Sequence, residues 1–221
     1  MALGLRFREK LLMKKVLIAI LVLLTVFCSA AFADSKIDNY TGFAIGYGIS
    51  NARIEDLFNY KYNQLVFSIT DFGFIDKSPV GLFIDGTLFV DIKGKMVTSI
   101  DEYDIPKDEL PVGLMATIGP AFKLNMGKGM DLLLGVGFQV YRQERIYPYE
   151  KWQEFYYGVG ADIEFAYELG KSLAITLGAD GSYFFANSRY YSNNFVKNVD
   201  VSYDKYWEYR IIPKIAGYYT F

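Results

Sequence analysis

Apolar and polar positions alternate with a period of two over most of this chain, the pattern of strands whose successive side chains point to opposite faces. The alternation is cleanest at the end. Trp207, Tyr209, Ile211, Pro213, Ile215, Gly217, Tyr219 and Phe221 fall on one face, and Tyr206, Glu208, Arg210, Ile212, Lys214, Ala216, Tyr218 and Thr220 on the other. Seven earlier segments repeat the pattern, near residues 40–50, 62–75, 79–91, 111–124, 130–142, 155–169 and 172–186. In the first, Phe43, Ile45, Tyr47 and Ile49 oppose Gly42, Ala44, Gly46 and Gly48. In the fifth, Leu132, Leu134, Val136, Phe138 and Val140 oppose Asp131, Leu133, Gly135, Gly137 and Gln139. The second sets Leu65, Phe67 and Ile69 together and loses phase after Thr70, so a bulge is expected at Asp71-Phe72-Gly73-Phe74. Pro120 and Pro213 lie inside predicted strands, where each removes a ladder hydrogen bond; a bulge or early strand end is expected at both.

The connections alternate in length. Asp76-Lys77-Ser78, Asn125 to Gly129 and Gly170-Lys171 read as short turns, whereas residues 51–61, 92–110, 143–154 and 187–203 are longer and polar or Tyr-rich. Eight such strands predict an all-β fold, an antiparallel up-and-down barrel with short turns at one end and long loops at the other. A soluble barrel would also alternate, but its outer face would be richly charged. Here the second face is mostly Gly, Ala, Ser and Thr with a few charges near its middle, which suits a narrow interior; the apolar face is therefore expected to meet lipid.

The N-terminus carries an export pattern. Arg6, Arg8, Lys10, Lys14 and Lys15 form a basic region, Val16 to Phe27 an uncharged apolar run too short for a membrane helix, and Ala31-Phe32-Ala33 a small-x-small cleavage site. Residues 1–33 are thus expected to be a cleaved secretory signal and residues 34–221 the barrel, with Met13 an alternative start. Cys28 does not suit lipidation, because Phe27 stands where a small residue is required. Removing the signal takes 33 of the 221 residues and leaves 188; with its five basic residues and Glu9 gone, the net charge moves from −2 to −6. That balance argues against a nucleic-acid partner. The single Cys leaves with the signal and the chain has no His, so the usual ligands for zinc or copper are missing and neither cofactor nor metal is expected.

The charges of the inner face are the sharpest local feature. Counting back across the turn at 170–171 sets Asp162 beside Asp180, and the last hairpin brings Lys214 near Asp180; Glu164, Glu208 and Arg210 point the same way. Gly42, Ala44, Gly46 and Gly48 of the first strand are expected to leave room for the two long basic side chains. Such a group either gates a path or fills and fixes the barrel, and the small interior of an eight-stranded barrel favours filling. Without His the ordinary proton shuttle near neutral pH is missing, and the carboxylates face inward, so an enzyme is not expected. Aromatics crowd the long loops: Tyr147, Tyr149, Trp152, Phe155 and Tyr156 in the third, Tyr190, Tyr191, Phe195 and Tyr203 in the fourth. They read as binding hot spots or as an interfacial belt. Asp101, Glu102, Asp104, Asp108 and Glu109 make the second loop acidic; a solvated loop is favoured over a calcium site, because no ligand spacing fits one.

The strand count, turn alternation, export signal and terminal Phe221 together resemble the small bacterial outer-membrane barrels of the OmpW, OmpX and OmpA types. The resemblance implies an outer-membrane location, contact with outer-membrane lipids, and a role for Phe221 as a signal to the barrel-assembly machinery. It implies two functions: passage of small hydrophobic molecules, as associated with OmpW-like barrels, or surface adhesion to host molecules, as associated with OmpX-like ones. A lumen lined by apolar residues from its outer mouth favours the first, and a sealed lumen with protruding loop strands the second.

Overall fold

The computed structural model describes residues 37–220 apart from 56–57, 76–77, 107–109, 147–149, 194 and 197–198. The expected signal at 1–33, Tyr147, Tyr149 and Phe221 lie outside the described residues. Among the described residues ten strands follow in chain order: β1 (Ile37–Ile54), β2 (Phe58–Ile75), β3 (Val80–Val97), β4 (Glu102–Asp104), β5 (Val112–Gly127), β6 (Met130–Ile146), β7 (Glu150–Glu168), β8 (Leu173–Asn193), β9 (Val199–Asp200) and β10 (Tyr206–Thr220). The eight long ones pair antiparallel in sequence order. β10 pairs with both β8 and β1, from Tyr40↔Thr220 to Ile54↔Tyr206, so the sheet closes on itself without a free edge. β4 and β9 are short additions on β3 and β8.

The apolar face of every long strand points outward. Phe43 is 50% exposed, and Ile118, Val136, Ile163, Leu177 and Ile215 stand out alike around the wall. The opposite face is buried. A continuous apolar wall around a closed sheet is stable only where lipid replaces water.

Three details depart from the sequence reading. Residues 71–74 hold no bulge: β2 pairs in unbroken register from Gln64↔Asp91 to Phe74↔Gly81. The phase fails to show there because Phe72 and Phe74, apolar residues, face inward and are fully buried. The irregularity lies instead at Asn63/Gln64, where β3 carries the extra residue Ile92. Pro120 and Pro213 neither end nor shift their strands: Leu82↔Pro120 and Pro213↔Ala179 are ordinary pairs. A strand residue offers its N–H to one neighbour only, so a proline leaves the other ladder whole. The expected long loops are largely strand. β1 runs to Ile54 and β2 starts at Phe58, and β6, β7 and β8 pair out to Ile146↔Lys151 and Glu150↔Asn193. Tyr-rich sequence of this kind is as good a strand former as a loop, and pairing decides.

The turn at 125–129 tightens to two residues. Gly127 pairs with Met130, and Lys128 and Gly129 both have positive φ, 57° and 73°. Two left-handed central residues define the type I′ hairpin, which prefers Asn-Gly. Lys128→Asn should therefore stabilise the barrel by about 0.5–1 kcal/mol. Urea unfolding of the refolded protein checks this, with an unchanged or lower midpoint counting against it.

Candidate functional site: the barrel lumen and its outer mouth

Inward side chains fill the lumen in layers along β10. Nearest the short turns, Tyr218 packs with Tyr40, Phe72, Phe74, Phe83 and Leu133. Phe72 lies 5.0 Å from Phe83, and the Tyr40 hydroxyl donates to Asp131 at 2.5 Å. Gly42 exists for this layer, since a Cβ there would fall 2.6 Å from the Tyr218 ring.

Above it lies a charged layer. Lys214 Nζ sits 2.7 Å from Asp162 Oδ2, 2.7 Å from Glu164 Oε1 and 3.0 Å from Asp180 Oδ1. Register produces this meeting: Asp162 is paired with Asp180 on β7 and β8, and Lys214 with Gly178 on β10 and β8. The carboxylates take further donors, with Tyr218 OH 2.7 Å and Thr176 Oγ1 2.5 Å from Glu164. Asp85 accepts from Thr70 at 2.7 Å and from Thr87. Burial of so many charges is tolerable only because each finds partners.

A second aromatic layer holds Arg210. Its guanidinium lies 3.6 Å from the Tyr141 ring centre, 4.6 Å from Phe89 and 5.4 Å from Phe184, and its Nε donates to Glu208 at 2.6 Å. Glu208 also accepts from Tyr206. Arg210 is thus held by rings, and not in space left by the glycines of β1, which sequence reasoning assigned to both bases. Gly46 sits against Ile212 and Lys214, and Gly113 against Tyr141.

At the outer mouth the Arg189 guanidinium lies over Trp152, 4.0 Å from its ring centre, donates to the Tyr203 hydroxyl and is ion-paired with Glu154 at 2.8 Å. Tyr191 touches Trp152 at 4.5 Å, whereas Tyr190 lies on the other side of the ribbon against Phe155, 6.4 Å away. The loop aromatics therefore divide between two faces. Tyr156 is neither loop nor exposed: it is buried against Tyr141, Phe184 and Tyr206. Sequence reasoning also passed over Arg189, Glu154, Gln143 and Asp91. Period-two parity marks the last as inward, but nothing local pairs it with Gln64, whose amide donates to it at 2.6 Å.

A closed sheet, an apolar outer wall and an interior packed with rings and ion pairs define a bilayer-spanning β-barrel of the outer-membrane class, the class the sequence resembles. Solved structures share its fold. Neisserial surface protein A superposes with a TM-score of 0.52 at 11% identity, over 83% of this chain and 97% of that one. Outer membrane protein OprG of Pseudomonas aeruginosa gives 0.50 at 12% identity, over 85% and 96%. A major outer membrane protein of Thermus thermophilus gives 0.53 at 11% identity, over 84% and 100%. No family model and no curated protein matches the chain. At such identities the likeness is one of fold.

Proposed function

We propose that this chain is an outer-membrane barrel with a closed lumen that acts from its extracellular hairpins, recognising a surface or matrix component. In this reading it neither passes small apolar molecules through its centre nor catalyses a reaction. One observation carries it: the side chains of Lys214, Asp162, Glu164 and Asp180 span the lumen with 0–6% of their surface exposed. A path wide enough for water or an apolar solute would expose whatever lines it. The apolar layer beyond gives no opening either, since Phe89, Tyr141 and Phe184 are fully packed. The paired strands of β6, β7 and β8 carry Trp152, Arg189 and Tyr191 to the rim, and half-buried aromatic and Arg side chains on a rigid support are the residues that dominate protein recognition.

Planar-bilayer recordings with the refolded protein should show no conductance above protein-free membranes, and liposomes containing it no uptake of apolar solutes. Immobilised extracellular-matrix glycoproteins should retain the wild type, with affinity about 30-fold weaker for Trp152→Ala/Tyr191→Ala. Steady conductance or uptake by the wild type would return the reading to passage, and equal retention of the variant would remove the rim from the binding surface.

A further inference from the structure

The outer wall carries an unexplained basic site. Tyr209, Asn51, Lys61 and Lys95 are register partners in one row across β10, β1, β2 and β3; the next row toward the bilayer is Ile211, Ile49, Asn63 and Lys93. Below these, Ile45, Phe67 and Leu88 continue the wall as an apolar row. The bulge in β3 creates the site. The extra residue, Ile92, reverses the parity of β3, so that Lys93 and Lys95 face outward where strict alternation would bury them. Lys61 and Lys95 then stand directly opposite each other, an arrangement that destabilises a sheet unless an anion lies between. Glu102 on β4 neutralises Lys95, and Asp104 is its register partner. Glu102 also feels Lys61 and Lys93 at longer range, but among the described residues neither of these two lysines forms an ion pair.

Depth identifies what the two lysines face. Trp207 and Tyr209 stack on the outer face of β10, 6.0 Å apart, and Tyr209 lines the same depression as Lys61 and Lys93. Outward aromatics at the margin of an apolar band mark the headgroup level. A depression of about 300 Å³ opens there, bounded by Ile49, Asn51, Tyr209 and the three lysines. The geometry points to a binding site for a phosphorylated lipid headgroup of the outer leaflet, with Lys61 and Lys93 as its cations. The acyl chains lie along Ile49 and the apolar row beneath. This site is independent of the lumen and of the rim.

Native mass spectrometry of the full refolded protein in detergent tests it. The probes are diphosphorylated lipid A, its dephosphorylated form, and inorganic phosphate as competitor. The wild type should retain the diphosphorylated lipid and not the dephosphorylated one. Lys61→Gln/Lys93→Gln should bind it roughly 10- to 30-fold more weakly. Lys128→Gln/Lys171→Gln, the same charge change at the opposite rim, should bind as the wild type does. Equal binding by Lys61→Gln/Lys93→Gln, or equal loss in the opposite-rim variant, overturns the site. Displacement by millimolar inorganic phosphate overturns its assignment to a lipid.

Discussion

Replacing Lys214 with Met should lower the stability of the refolded barrel by about 3–5 kcal/mol, the largest loss expected of any single lumen substitution. The side chain is of similar length, so packing changes little. What is lost is the single ammonium that Asp162, Glu164 and Asp180 share at 2.7–3.0 Å. Three buried carboxylates then face one another in a layer without a cation at its centre. The reverse change is milder. Asp180→Asn keeps two acids on Lys214 and should cost about 1–3 kcal/mol. Lys214→Met/Asp180→Leu should fall below the sum of its single changes, since the pair is in direct contact, yet stay below the wild type, because Asp162 and Glu164 remain. Urea unfolding in detergent, followed by the fluorescence of Trp152 and Trp207, reads all of these. Lys214→Met within about 1 kcal/mol of the wild type, or strictly additive losses, would show that the layer is not a coupled buried network.

Arg210→Met should cost about 3 kcal/mol and Arg210→Lys about 1–2 kcal/mol. Both variants remove the stack on Tyr141 at 3.6 Å and Phe89 at 4.6 Å, but only Met strands the buried carboxylate of Glu208. A Lys ammonium can still reach that carboxylate; it cannot offer a flat face to three rings. The order of the two variants is the diagnostic result. Arg210→Lys equal to the wild type would mean that charge alone holds the site, and Arg210→Lys as damaging as Arg210→Met would mean that the rings do.

The alternation of the chain carried much of this architecture. Ile163, Leu177 and Ile215 are spaced two apart from residues of the same character, and that spacing alone sets them on a different face from Asp162, Asp180 and Lys214. Once lipid is the outer solvent, the apolar set must be the wall. The wall, the strand number and the inward direction of the charged set were therefore legible. Strand ends were not: Trp152 and Tyr191 read as loop residues, and it is the cross-strand pairing of β6, β7 and β8, theirs included, that keeps the ribbon extended beyond the apolar band.

The sequence by itself determined which residues share a face, because that depends on a local period of two. Tertiary structure alone decided which of them meet. Lys214 and Asp162 are 52 residues apart, and their contact follows from the registers of three strands and the closure of β10 on β1. Arg210 found Tyr141, Phe89 and Phe184 for the same reason. The bulge at Ile92 is the clearest case: one extra residue, invisible in the alternation, turns Lys93 and Lys95 from the lumen to the outer wall, since a shift of one position exchanges the faces of everything that follows.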